Sequence, residues 1–255
     1  LTSLVGSEMC IRDSNDTDGN ISLDEPRERT LRVTHIVGEK YGALFGTYFN
    51  RDAQGRIIHE MSQGYPRPSL NTSRKILGFG VPPQQLGIGA SFRYKDWNAS
   101  FLVEGKSGAQ VFSGTNVRLI GYGLHQMTVP SGGREAGFVP DGVLEDGTPI
   151  TQSLDYTQQQ NYWGRYNDVA EAGIYDSDYF RMRQMSVGYT FPKTMLEGTF
   201  IQSASVSLIG KNLFFIHNSV PNVDPESAYN NSNSQGLEFA GMPVPSTVGI
   251  NVNLK

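Results

Sequence analysis

The segment at the end of the chain constrains the fold most. Val248, Ile250, Val252 and Leu254 fall on one face, and Gly249, Asn251, Asn253 and Lys255 on the other. Successive side chains of a strand point to opposite faces, so this strict period of two predicts a strand with one apolar side. Two upstream segments repeat the scheme. Met185, Val187, Tyr189 and Phe191 stand opposite Gln184, Ser186, Gly188 and Thr190, and Ala204, Val206 and Leu208 stand opposite Ser203, Ser205 and Ser207. Asp178 to Lys255 therefore reads as three strands joined by one moderate turn and one long loop rich in Pro and Asn.

Apart from Lys255, the polar faces carry only Gly, Ser, Thr, Asn and Gln. A solvated sheet face usually carries more Lys, Glu and Arg, so a small neutral face behind an aliphatic and aromatic one predicts a lumen and a lipid face. Tyr179 and Phe180 near one end of their strand, with Tyr189 and Phe191 near the other, predict two aromatic girdles. Upstream, Leu86, Ile88, Ala90, Phe92 and Tyr94 alternate with Gly87, Gly89, Ser91 and Arg93, Lys95-Asp96 makes a tight turn, and Trp97, Ala99, Phe101 and Val103 carry the return strand. Thr30 to Val37 reads as a short strand, Gly38 to Tyr48 as an irregular loop, and Asp52 to Gly55 as a turn.

The runs Tyr175–Arg183 and Ser186–Pro192 resemble the late-barrel signature of the SusC/RagA family of TonB-dependent outer-membrane transporters. Ser207–Phe214 and Val220–Glu226 are similar to that family's pattern too, as are Gly38–Tyr48, Arg51–Ile58 and Gly105–Phe112, so the resemblance runs from about Gly38 to Lys255. It implies an all-β fold of antiparallel strands, the C-terminal part of a transmembrane β-barrel of the roughly 22-stranded class, with long external loops. It also implies a place in the bacterial outer membrane, uptake of a glycan or peptide, a SusD-like lipoprotein as external lid, and TonB as energy source acting through an N-terminal part absent from this chain. The alternative reading of the strands is a soluble secreted β-sandwich that binds carbohydrate.

Leu4–Ser14, LVGSEMCIRDS, resembles the in-frame translation of a transposase adapter used in preparing sequencing libraries. Residues 1–14 are therefore set aside as a scar, leaving 15–255 as the barrel portion. The only cysteine, Cys10, falls in that scar, so the rest of the chain offers no disulfide or thiolate site. Next comes a stretch with calcium-loop spacing: with Gly19 as its sixth position, Asp16, Asp18, Ser22 and Glu25 occupy liganding positions. An Asx/Gly turn between strands is the other reading, and Pro26 with no flanking helical pattern favours it. No other cofactor is indicated.

Loop lengths orient the strands, because transporters of this kind have short periplasmic turns and long external loops. Tyr94 to Trp97 and Pro192 to Ser203 are the shorter connections, while Gly114 to Ser177 and Asn218 to Val244 are the long ones, so strands 84–94, 178–192 and 245–255 are expected to run inward and 97–112 and 203–217 outward. The mean hydropathy of −0.36 carries no weight against a barrel, whose strands alternate. A net charge of −4 gives no support to nucleic-acid binding.

No catalytic constellation appears, so no enzyme is expected. His35, His59, His125 and His217 are dispersed, and Ser131-Gly132-Gly133 lacks a strand-elbow-helix context. What remains is a binding surface. The Gly114–Ser177 loop sets Tyr122, Phe138, Tyr156, Tyr162, Trp163, Tyr166 and Tyr175 among amides and carboxylates, which suits an oligosaccharide or peptide. Trp163 and Tyr166 are the first candidates for substrate contact, with Tyr162 and Tyr156 beside them. The competing reading is that these rings pack the loop against itself or a partner.

Overall fold

The structure, a computed structural model, describes residues 20–22, 30–227 and 235–255. In chain order its strands are β1 (Asn20–Ser22), β2 (Leu31–Ile36), β3 (Ala43–Phe49), β4 (Ile58–Ser62), β5 (Tyr65–Pro68), β6 (Leu70–Phe79), β7 (Gln84–Tyr94), β8 (Trp97–Ser107) and β9 (Gln110–Ser113). Helix α1 (Gly114–Gly121), β10 (Val143–Leu144), α2 (Tyr156–Gly164), β11 (Ile174–Asp176) and β12 (Tyr179–Thr190) come next. The chain ends with a short helix α3 (Lys193–Leu196) and strands β13 (Ala204–Lys211), β14 (Phe215–Asn218), β15 (Leu237–Glu238) and β16 (Thr247–Leu254). The chain divides into two units, one drawing on 30–81, 110–175 and 235–241, the other on 82–109, 176–227 and 242–255.

The second unit is a single antiparallel sheet in the order β16-β13-β12-β8-β7, with β14 also paired to β12. Register keeps most side chains of the two kinds apart, with Leu102 and Ile209 among the apolar residues set on the polar face. Phe92 pairs with Ala99, Ala99 with Val187, Val187 with Leu208 and Leu208 with Ile250, which makes one apolar row. The next row, Arg93, Asn98, Gly188, Ser207 and Asn251, lies on the opposite face. Nothing in this unit covers the apolar face: Val187 is 41% exposed, Leu208 54% and Ile250 72%. Long connections all leave from one end of the sheet, where Lys106 pairs with Tyr179 and Lys211 with Thr247. Short connections sit at the other, where Tyr94 pairs with Trp97 and Ala204 with Leu254.

Two expectations for this sheet need correction. Tyr94, Trp97, Tyr189 and Phe191 do gather at the turn end, with Trp97 and Tyr189 5.0 Å apart and Tyr189 and Phe191 5.3 Å apart. Tyr179, however, is buried and does not join a girdle. A bulge between Met182 and Gln184 is the reason. The extra residue shifts the alternation, so Tyr179 and Arg181 share the polar face with Gln184 and Ser186, while Phe180 and Met182 join the apolar one. Phe180 then lies over Gly105, where an added Cβ would sit 2.3 Å from the ring. The long strands expected at 97–112 and 203–217 are also each broken in two, by Gly108 at φ +84° and by Asn212 at φ 51°. Both residues tolerate the left-handed region that ends a ladder.

The first unit holds an antiparallel sheet, β1-β2-β3-β6, and two small sheets, β10-β4-β5 and β11-β9-β15. Gly38 to Tyr48, expected as an irregular loop, includes β3, which pairs on both sides. Its alternation is hidden because Ala43, Leu44 and Phe49 are all buried. Asp52 does make the expected turn, its Oδ1 accepting from Gln54 and Arg56 N–H. Gly114 to Ser177 carries two helices and 3-10 turns rather than an open loop. Ser113 caps α1 by accepting from Asn116 N–H at 3.1 Å and donates to the buried Glu238 at 2.6 Å. Asp155 and Gln158 form a capping box at the start of α2.

Of the calcium-loop positions, Asp16, Asp18 and Glu25 lie outside the described residues, as does the Leu4–Ser14 segment, and Ser22 closes β1. No helix among the described residues is long and apolar enough to cross a membrane, which says nothing about crossing by strands.

Candidate functional site

In the first unit, a cleft of about 240 Å³ opens between α2 and the turn that ends α1. The α2 side supplies Tyr156, Gln159, Gln160 and Trp163, which follow an i, i+3, i+4, i+7 spacing and so share one helix face. The α1 side supplies Tyr122 and Gly123, with Thr128 close by. Gly123 at φ +70° donates to Ile120 O at 2.8 Å, and Leu124 N–H reaches Leu119 O at 2.6 Å. This left-handed helix end turns the chain outward and leaves Tyr122 72% exposed. Tyr156, on the first turn of α2, is 79% exposed. No ionisable acid or base other than the tyrosines lines the cleft.

The last turn of α2 and the residues after it build a core. Tyr162, Trp163 and Tyr166 are buried with Phe49, Tyr65, Ile120, Leu154 and Val169. Phe138 packs on Tyr162 and Trp163 at 5.3 and 5.1 Å between ring centroids. His59 is fully buried and stacks on Tyr162. Its Nδ1 lies 3.1 Å from Ile57 O and its Nε2 3.1 Å from the Tyr162 hydroxyl. The neutral tautomer that donates from Nδ1 and accepts at Nε2 satisfies both contacts. Burial holds the His59 pKa below the ordinary imidazole value.

That shift fixes a sign. The folded state binds fewer protons at His59 than the unfolded one, so its stabilisation is complete above the ordinary value of roughly 6.5 and is lost as the pH falls toward the folded pKa. Proteolysis of the native protein within 110–175 is expected to be faster at pH 5 than at pH 7.5, with a smaller difference in His59→Gln. Equal rates at the two pH values in the unmodified protein would contradict this.

A second constellation lies in the other unit, on the polar face of β12. Arg181 reaches Asp224 and Glu226, and its guanidinium sits 3.9 Å over the Phe215 ring. Arg183, at the bulge, donates to Glu104 at 2.6 Å, to Asn212 at 3.0 Å and to both oxygens of Glu226 at 2.9 and 2.6 Å. Tyr179 donates to Glu226 at 2.7 Å. Burial pushes the Glu226 pKa up, but hydrogen bonds from Arg183 and Tyr179 outweigh it and hold the carboxyl below its usual range. Two guanidiniums hold three carboxylates here, so the cluster works as a clamp on the 218–227 segment.

Compared with known proteins, the chain is 24% identical over 188 residues to TonB-dependent receptor P3 of Formosa agariphila, covering 71% of this chain and 17% of that receptor. Its fold matches the RagAB peptide importer in the open-open state with a TM-score of 0.55 at 12% identity, over 92% of this chain and 24% of that one. The closed-closed state of the same importer matches at 0.54 and 10% identity, over 92% and 28%. The resemblance to SusC/RagA-type TonB-dependent transporters is borne out. No family model matches the chain. The chain thus spans under a fifth of its receptor relative and about a quarter of the importer chains.

Of the four aromatic residues expected to meet substrate, Tyr162 and Tyr166 lie in the core, and Trp163 is buried with them while forming one wall of the cleft. Only Tyr156 stands in the open. Their hydrophobic area makes the larger rings the first to be buried when a helix packs, so loop length alone misplaces them. Tyr122 belongs to the expected loop surface without being one of its four first candidates, and Gln159, Gln160 and Thr128 are residues the sequence reading misses. The helical spacing of 156, 159, 160 and 163 was the available signal. The ion cluster carries no local sequence signal, since nothing nearby in the chain pairs Arg181 with Asp224.

Proposed function

We propose that this chain is the C-terminal barrel wall and external-loop portion of an outer-membrane nutrient importer. The second unit supplies wall strands, with the apolar face toward lipid and the Ser-, Asn- and Gly-rich face toward the lumen. The apolar face, in register and exposed across five strands, carries this reading. A β-sandwich would cover that face with a second sheet, and this unit contains none among the described residues. Loop lengths place the long connections of the sheet on the external side. Glycans or peptides are the cargo, a SusD-like lipoprotein is the external partner, and TonB drives import through the part of the protein not in this chain. Likeness to a receptor and to a peptide importer supports the transport reading and weighs against an enzyme.

Fractionation of the complete protein tests this. It is expected in the outer membrane, with heat-modifiable migration and a need for detergent. Recovery as a monodisperse soluble protein would sink the proposal. Within that experiment, Leu208→Arg on the lipid face is expected to lower barrel stability by about 2–4 kcal/mol, while Ser207→Arg on the lumen face is nearly neutral. Equal effects of the two would contradict the assignment of the faces.

A further inference from the structure

We infer that the cleft between α2 and the α1 turn binds one ring of a neutral oligosaccharide. The cleft holds two exposed phenol rings, Tyr122 and Tyr156, and the exposed Gln160 amide beside an indole wall in Trp163; Gln159 and Thr128 line it too, but they are buried and donate to Leu154 O and His125 O. A pyranose has an apolar C–H face that stacks on an aromatic ring and hydroxyls at its edge that pair with amides, so both sets of groups are used at once. A peptide uses them less well. Its charged ends or side chains meet no opposite charge in the lining, and its main chain needs a strand edge, whereas α2 satisfies its backbone internally. About 240 Å³ is also less than the roughly 300 Å³ or more of a pocket for a drug-sized ligand, which points to a single ring of a chain that continues outside.

The Gly123 turn sets the backbone at Tyr122, and the Asp155–Gln158 capping box, at 2.8 and 3.1 Å, sets it at Tyr156. This inference rests on the importer reading for its biological use, but binding is independent of transport and is measured separately.

The test is calorimetric titration of the detergent-solubilised complete protein with hexasaccharides of β-1,3-glucan, β-1,4-glucan, mannan, xylan and galactan, and with capped neutral hexapeptides. At least one hexasaccharide is expected to bind. Tyr122→Ala and Tyr156→Ala are each expected to weaken it about three- to tenfold, the range set by an aromatic contact. Neither side chain is in the core, so both variants should keep wild-type heat-modifiable migration. Leu124→Ala, exposed on the same turn but outside the cleft, is the control and leaves affinity unchanged. Binding of peptides alone, binding of no hexasaccharide, or saccharide affinity indifferent to both tyrosine variants would each overturn the proposal. A soluble protein that still binds the glycan would instead refute the importer reading and leave this one standing.

Discussion

Replacing Arg181 with alanine is expected to cost about 3–5 kcal/mol, the range for removing one partner of a buried ion pair. The Arg181 and Asp224 side chains are only 4% and 3% exposed, so water reaches neither charge when the other is removed. Arg181 also covers Phe215 and shares Glu226 with Arg183, so its loss unpacks a ring as well. Asp224 further accepts from Val244 N–H at 3.2 Å, which extends the clamp from the 218–227 segment to the entry of β16. Hydrogen exchange on the complete protein in detergent should show faster exchange over 215–227 and 243–247, with little change at 97–101. Arg181→Lys restores the charge but not the planar fork that reaches two carboxylates, and should recover only part of the loss. Unchanged exchange in Arg181→Ala would show that the segment is held by something other than this cluster.

Tyr162→Ala is expected to be of similar size, about 3–5 kcal/mol, as for other large aromatic residues cut to alanine in a core. Tyr162 touches Phe138, Trp163, Tyr166 and His59, so the cavity it leaves is lined by rings that cannot close over it without abandoning their own contacts. Tyr162→Phe keeps the volume and removes only the hydroxyl that serves His59 Nε2. The expected cost of that change is about 1–3 kcal/mol, the penalty for an unsatisfied buried acceptor. Protease sensitivity within 110–175 should therefore rank alanine above phenylalanine above wild type. If alanine is no more sensitive than wild type, the ring cluster does not hold this unit together.

Strand period shows up plainly along the sequence wherever one face is uniform. Val248 to Leu254, Met185 to Phe191 and the hairpin through Lys95-Asp96 all appear where alternation predicts them, because one face carries apolar residues without interruption. β3 escapes the same test because burial on both faces erases the alternation. The helices of the first unit are less visible. α2 is spelled YTQQQNYWG, with its signal in the Asp155 cap and in the spacing of Tyr156, Gln159, Gln160 and Trp163. Read as part of a loop, those same rings look like a binding surface.

Sequence alone thus determined the wall: which residues alternate, which face is apolar, and which connections are long. Local backbone geometry sets that period, so no distant partner is needed to see it. Only tertiary structure decided the rest. The bulge at Arg183 depends on how β12 registers against β8, and it alone turns Tyr179 and Arg181 inward to meet Asp224 and Glu226. Burial of Tyr162 and Tyr166, and exposure of Tyr122 and Tyr156, depend on which face of α2 meets β3 residue Phe49 and helix α1. Aromatic residues carry the same chemistry in a core and in a binding cleft, and what separates the two uses is the packing of residues far apart in the chain.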